Sequence, residues 1–260
     1  MKLLTINTHS LIEPFYESKL HIFVEEILRI KPDIIAMQEV NQTASATPMK
    51  SSQVGCIPIK NDNHAERLTS ILSENGLIYN YLWLGIKSGY GIYDEGISIL
   101  SLESIIEAKE ILLSSRDDYK SWKTRKALFA KTKNGWFGSI HTGMWEDKEE
   151  SFSSQWDKLT KELSYISDAP IFLMGDFNCP AHKDGEGYEK ILSSGWFDTY
   201  RLASEKDEGF TTLGKIDGWE TNKKQRIDYI FTNHKINVEK SETLFVQNPI
   251  SDHLGLMITI

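Results

Sequence analysis

The chain predicts an α/β architecture in which two β-sheets pack face to face between flanking helices. Three features point there. Helical and strand-like segments alternate at both ends of the 260 residues. The stretch from residue 79 to residue 140 offers a succession of β-like runs instead. Several short apolar runs also stop at a polar residue. No repeat, linker or low-complexity tract interrupts the pattern, so residues 1–260 are expected to form one domain.

Residues 3–7 alternate as a first strand. Leu20, Val24, Ile27 and Leu28 recur at helical spacing over residues 18–30, and Pro32 stops that helix. Residues 34–37 are a short buried strand that ends at Gln38-Glu39. Residues 41–63 are polar and aperiodic, which fits either a lid reaching over Glu39 or a plain surface loop. Residues 65–74 are helical. Strand-like runs follow at 79–84, 96–100, 105–113, 126–131 and 136–141. Residues 152–166 form an amphipathic helix, and Pro170 separates it from a strand at 171–174. Runs 227–231, 236–245 and 254–260 close the chain as strands.

Composition narrows the function classes. No run approaches the roughly 20 apolar residues of a membrane span. The apolar start of the chain is too short for a signal peptide and reads as a strand. Cys56 and Cys179 lie far apart and match no metal spacing, so free thiols and a cytoplasmic location are expected. Net charge is -8, and the basic runs at 120–126 and 223–226 are short. Proteins that grip a duplex neutralise phosphates with a basic face. The balance therefore favours a small anionic substrate over nucleic acid, although local fields override net charge.

The segment Met174-Gly175-Asp176-Phe177-Asn178 carries the chemistry. Residues i and i+2 of a strand share a face, so Asp176 and Asn178 project together if the strand geometry persists. A carboxylate that takes a proton, beside an amide that orients a water, suits hydrolysis of a phosphate ester. An acid at a strand end is also an ordinary turn former. Further polar residues at strand ends weigh against that plain reading: Asn7, Glu39, His141, Asp228, Asp252 and His253.

Taken together these residues resemble the motifs of the endonuclease/exonuclease/phosphatase superfamily, the DNase I-like fold, along the whole chain. The motifs run in order: Thr5-Ile6-Asn7-Thr8-His9, Met37-Gln38-Glu39, Ser139-Ile140-His141-Thr142, Gly175-Asp176-Phe177-Asn178, Arg226-Ile227-Asp228-Tyr229 and Ser251-Asp252-His253. The resemblance implies a four-layer α/β sandwich of two mixed sheets and a metal-dependent phosphoesterase. It makes Glu39 the main metal carboxylate, flanked by Asn7 and Asp252. Mg²⁺, or Mn²⁺, would suit such oxygen ligands. It makes Asp176 the base, helped by Asn178, and makes His141 and His253 donors to phosphoryl oxygens. Each histidine is expected to have an acid partner, Asp228 for one and Glu95 as the looser candidate for the other. His9 and His64 stay open between site and structural roles; His21, His182 and His234 read as surface or structural residues.

Three features bear on substrate. Trp145 follows His141 by four residues; Tyr90, Tyr93, Trp122, Trp145 and Trp219 supply aromatic faces; and Arg125 opens a strand. Aromatic faces with a few polar groups suit a sugar ring or a nucleobase, and the same residues also serve as core. Arg125, Trp145 and Glu95 are therefore substrate-binding candidates. The stretches 4–10, 38–42 and 93–101, which flank the motifs, resemble a bacterial subgroup that includes maltose 6'-phosphate phosphatases, which implies a sugar phosphate as substrate. A nuclease would use the same catalytic set but add basic or wedge-like loops. A sphingomyelinase-like enzyme would be exported and carry an apolar membrane-contacting loop. A non-catalytic phosphate-binding scaffold is the remaining alternative.

Overall fold

The computed structural model describes residues 1–49, 54–166, 169–216, 219 and 222–260. In chain order its elements begin with β1 (Lys2–Asn7), α1 (Tyr16–Ile30), β2 (Ile34–Thr43), α2 (His64–Glu74), β3 (Asn80–Gly89) and β4 (Tyr93–Ser101). There follow β5 (Glu107–Leu112), β6 (Lys126–Thr132), β7 (Gly135–His141), α3 (Phe152–Leu163), β8 (Ile171–Asp176), α4 (Gly187–Ser193) and β9 (Phe197–Asp198). The chain closes with α5 (Thr199–Leu202), β10 (Ala203–Lys206), β11 (Asp228–Thr232), β12 (Val238–Leu244) and β13 (Gly255–Thr259).

The strands form two mixed sheets. One is seven-stranded in the order β10-β12-β13-β1-β2-β4-β3, the other six-stranded in the order β5-β6-β7-β8-β11-β9. Side chains alternate across each strand, so each sheet has two faces to cover. The facing sides meet through Leu3, Ile34, Ile97 and Ile99 on one sheet and Leu128, Phe137, Phe172 and Met174 on the other. The outer face of the larger sheet buries Leu4, Ile6 and Ile35 against Leu20, Val24 and Ile27 of α1 and Leu68 and Leu72 of α2. The outer face of the smaller sheet buries Phe129 and Leu173 against Phe152, Trp156 and Leu159 of α3 and Ile191 of α4. The result is the expected helix–sheet–sheet–helix sandwich.

Differences from the sequence expectations are local. β2 continues past Met37 through a bulge between Met37 and Val40 and runs to Thr43. β3 extends to Gly89, five residues beyond the apolar run. The helix after Phe152 stops at Leu163, and the short elements α4, β9, α5 and β10 carry no strong period in sequence. Residues 50–53 of the proposed lid lie outside the described residues. The described part of 41–63 folds back along its own sheet. Gln42 bonds Lys60, Asn63 and Asp94, and Val54 bridges to Leu84. Among the described residues, no helix is long and apolar enough to cross a membrane. Cys56 is exposed and Cys179 buried, both as free thiols.

Candidate active site

Strand register assembles one half of the site. β7 runs parallel to β8 with His141 opposite Asp176, and β11 runs antiparallel to β8 with Asp228 opposite Asp176. The three side chains thus form a row across the end of the smaller sheet. Gly175 permits the approach of β7: its φ is 151°, and a Cβ there would meet the Ile140 carbonyl oxygen at 1.9 Å. Strand geometry does not persist beyond Asp176, because Asn178 turns into the left-handed region at φ 47°. Asn178 still reaches the same cavity, but its role differs from the expected one. Its backbone N–H donates to Asp176 Oδ1 at 2.9 Å, and its side-chain amide donates to the Thr142 carbonyl at 3.0 Å. Its Oδ1 accepts from Trp219 Nε1 at 3.2 Å. Burial raises the pKa of Asp176, and the charge of Asp228 adds to that effect against His253, bringing it to about 7.

The two histidines have opposite settings. His253 Nδ1 lies 2.9 Å from Asp228 Oδ2, and its Nε2 lies 3.9 Å from Asp176 Oδ2. Burial opposes its charge, but Asp228, Asp176 and Asp252 together raise its pKa to about 10. His141 points Nε2 toward Asp176 Oδ2 at 3.6 Å, and its Nδ1 meets Arg125 Nη1 at 3.3 Å. Burial, then Arg125 and Lys87, hold His141 well below the usual imidazole range. The expected pairing of His141 with Glu95 is thereby corrected. Glu95 on β4 stands directly opposite Lys87 on β3 and pairs with its ammonium at 3.1 Å.

The larger sheet and the loop before β13 supply the other half. Glu39 sits in the β2 bulge at φ 51°, a left-handed strain of about 1–3 kcal/mol for a non-glycine residue. Its side chain remains 22% exposed, opening into the cavity. Asn7 at the end of β1 donates from Nδ2 to Glu39 Oε1 at 2.9 Å and to Asp176 Oδ2 at 3.2 Å, so it bridges the two sheets. Asp252 lines the same cavity. Burial raises the Glu39 pKa, and the nearby charges of Glu95 and Asp252 push the same way. Carboxylates beside amide oxygens are the hard donors a divalent cation takes, and Glu39 and Asp252 supply such carboxylates to one cavity, while Asn7 Oδ1 accepts from the His9 backbone N–H at 3.3 Å.

Of the two histidines left open, His9 belongs here. It lines the cavity, its Nδ1 meets Glu13 Oε1 at 2.7 Å, and Lys19 also contacts Glu13. Burial opposes protonation of His9, but Glu13, Glu39 and Asp252 raise its pKa to about 9. Ligand atoms of His9, Glu13 and Asp252 lie within 4.8 Å of one another. His64 is core: it takes the Tyr16 hydroxyl at 2.9 Å, and burial, with Arg67, pushes its pKa down to about 3.

The cavity measures about 330 Å³. Arg125 and Lys87 stand in its wall, and Tyr90, Trp122 and Trp219 line it. Tyr90 is 63% exposed and Trp122 65%. Trp145 does not line it. Past His141 the chain turns outward, and the Trp145 ring packs 6.2 Å from Phe152 in an adjoining cleft of about 490 Å³. That cleft shares Met144, Asn178 and Trp219 with the first. None of the described residues of 41–63 lines the cavity. The basic runs are largely spent on local pairs: Lys123 with Asp147 and Glu149, Lys126 with Asp117, Lys224 with Glu208, Arg226 with Asp198. Lys87 is the site residue that the sequence reading passed over. Its signal was a lysine two residues before Gly89, facing Tyr93-Asp94-Glu95 across the turn, which becomes visible only when β3 is extended beyond Leu84.

A buried carboxylate flanked by two histidines, one paired with Asp228 and the other with Arg125, and sharing a cavity with Glu39 and Asp252, is the kind of constellation that hydrolyses phosphate esters on a DNase I-like sandwich. The Endonuclease/Exonuclease/phosphatase family model matches residues 4–253, and the chain belongs to that family. Among solved structures, an endonuclease/exonuclease/phosphatase family protein from Leptotrichia buccalis is similar over 100% of this chain and 99% of its own, with 29% identity and a TM-score of 0.87. A mannosyl-6-phosphatase from Bacteroides thetaiotaomicron shares the fold at 18% identity and TM-score 0.69, covering 100% and 98%. The 3' phosphatase NExo from Neisseria, bound to a product DNA hairpin, shares it at 18% identity and TM-score 0.66, covering 100% and 99%. No curated protein matches the chain.

Proposed function

We propose that this protein is a divalent-metal-dependent phosphomonoesterase that acts in the cytoplasm on a sugar phosphate such as maltose 6'-phosphate. The observation that carries the reading is a cavity of about 330 Å³ that combines the Asp176 base with aromatic side chains at its mouth. That volume suits a phosphorylated sugar. The net charge of -8 and the local pairing of the basic runs support a small substrate over a polynucleotide. The resemblance of the flanking motifs to sugar-phosphate phosphatases, and the fold shared with a mannosyl-6-phosphatase, support the same class.

In this reading Glu39, Asp252 and Asn7 would hold Mg²⁺, and Mn²⁺ would be able to replace it. When bound, the ion neutralises charge on the phosphoryl and leaving oxygens. Asp176 accepts the proton of the attacking water as the new P–O bond forms and the bond to the sugar oxygen breaks, and the departing sugar oxygen takes a proton from solvent. Asn7 and the Asn178 backbone hold the Asp176 carboxylate in place. His253 donates as an imidazolium, and His141 donates through Nε2–H to oxygens that carry charge in the transition state. Arg125 orients His141, while Tyr90, Trp122 and Trp219 offer faces for the sugar ring.

The deciding experiment is a substrate panel in Mg²⁺: sugar phosphates, nucleotides, and abasic or nicked DNA. Turnover confined to sugar phosphates supports the reading. Efficient DNA cleavage beside negligible sugar-phosphate hydrolysis replaces it with a nuclease.

A further inference from the structure

We propose that Lys87 is the specificity residue for a terminal phosphoryl group, holding the third non-bridging oxygen that a monoester has and a diester lacks. The inference rests on the phosphomonoesterase reading and deepens it. A monoester presents three non-bridging oxygens and up to two negative charges, whereas a diester presents two oxygens and one charge. Selecting the former takes an additional charged donor in a dry position, where its interaction is weakly screened.

Lys87 has that placement. It stands near the end of β3, lines the cavity, and leaves only 7% of its side chain exposed. Two contacts fix the ammonium: Nζ donates to the Trp122 carbonyl at 2.8 Å and lies 3.1 Å from Glu95 Oε1. An ammonium has three N–H donors, so among the described residues one is left for the cavity. Arg125 stands close enough to act on Lys87 electrostatically and forms no ion pair among the described residues. The wall made by Glu95, Lys87 and Arg125 thus carries one positive charge beyond what Glu95 neutralises. Across the cavity stand the carboxylates Glu39, Asp176 and Asp252, interleaved with the imidazoles of His9 and His253. Burial and Arg125 disfavour the charged form of Lys87, while Glu95 and Glu39 favour it. A dianionic phosphoryl group would favour it further.

A lysine that merely neutralises Glu95 is the competing account, and the two separate experimentally. The wild type, Lys87→Met and the double variant Lys87→Met/Glu95→Gln are assayed in Mg²⁺ with p-nitrophenyl phosphate and methyl p-nitrophenyl phosphate, which share a leaving group. Lys87→Met is expected to lower kcat/KM for the monoester by about ten- to a hundredfold, the worth of a charge-assisted hydrogen bond, and to change the diester far less. The double variant removes both charges and so preserves folding, yet is expected to stay low on the monoester. Equal losses on both esters, or recovery of monoester turnover in the double variant, would overturn the proposal. Calorimetric binding of inorganic phosphate in Mg²⁺ gives a readout independent of turnover. The Kd is expected to rise by a similar factor in both variants, and an unchanged Kd also overturns the proposal. The wild type's own preference reports on the underlying reading: turnover of the diester alone removes both, whereas monoester turnover with equal losses removes only the role of Lys87.

Discussion

The guanidinium of Arg125 stands 3.3 Å from Nδ1 of His141, the ring position at which His253 meets a carboxylate instead. A guanidinium offers only N–H donors, so Nδ1 of His141 must accept and the ring proton resides on Nε2. The two histidines therefore reach the cavity in different states: His253 as an imidazolium, His141 as a neutral ring whose single N–H points at the reacting centre.

Arg125→Met is expected to release that tautomer and to lower kcat more than it raises KM. Nitrogen NMR of histidine-labelled protein checks the state directly: Nδ1 of His141 should read as the accepting nitrogen and Nε2 as the protonated one while Arg125 is present, and the two signals should move toward tautomer-averaged values in Arg125→Met. Deleting the ring itself, His141→Ala, should cost roughly 2.7–4 kcal/mol of transition-state stabilisation, as for other donors to a developing oxyanion.

Glu39→Gln preserves shape and removes the charge expected to hold the cation. Hydrolysis should fall by orders of magnitude while the melting temperature changes little. A chelator should abolish wild-type activity, and Mg²⁺ or Mn²⁺ should restore it. Full activity of the variant in chelator would remove the metal assignment.

Asp176→Asn is expected to end turnover yet leave binding of inorganic phosphate largely intact, because it deletes a proton acceptor rather than a phosphate donor. In the proposed mechanism the carboxylate form is the active one. Activity should therefore rise with pH across an acidic limb at or below about 7, the value to which burial and Asp228 bring Asp176. A cation at Glu39 moves that limb downward.

The pairing of His253 with Asp228 predicts a pH-dependent stability. Unfolded imidazole releases its proton near 6.5, and the folded ring does so at about 10. The folded value is the raised one, so the contribution is complete below about 6.5 and is lost as pH climbs toward 10. Melting temperatures in chelator should show His253→Asn further below the wild type at pH 6 than at pH 10. A constant difference would contradict the pairing.

Trp122 is 65% exposed at the cavity mouth, so Trp122→Ala should leave folding intact. If its face takes a sugar ring, KM for the sugar phosphate should rise about two- to tenfold, with less effect on p-nitrophenyl phosphate. Trp145→Ala, in the adjoining cleft, should have the smaller effect on a monosaccharide phosphate.

Much of this was legible because the informative residues terminate strands. An apolar run that stops at Asn7, His141 or Asp176 advertises its own end, and parallel or antiparallel neighbours bring such ends into one row. What escaped depended on tertiary contacts. Glu95 was the looser candidate for a histidine's acid partner, on the resemblance alone; the apolar run of β3 fades at Leu84, but the strand continues to Gly89 and sets Lys87 opposite Glu95. Trp145 was placed by its spacing from His141, a guide that fails once the chain leaves the sheet. Asn178 was expected to share a strand face with Asp176, yet its left-handed turn makes the backbone N–H, not the amide, the group that holds the carboxylate. The region from α4 to β10 has little periodicity because side-chain contacts organise it. Arg226 lies 4.7–5.1 Å from the rings of Tyr188, Tyr200 and Tyr229 while bonding Asp198.

The Asn7 amide reaches Glu39 on its own sheet and Asp176 on the other, residues 169 apart in the chain for the longer span. The centre therefore lies on a seam, and its alignment is only as good as the docking of one sheet on the other. During refolding, activity should be the last signal to return, after secondary structure and after each sheet has formed alone. A slight slip of the face carrying Ile34 and Ile99 over the face carrying Phe137 and Met174 would silence the protein while it still looked folded, which makes catalysis a finer gauge of sheet alignment than any spectroscopic measure of helix or strand.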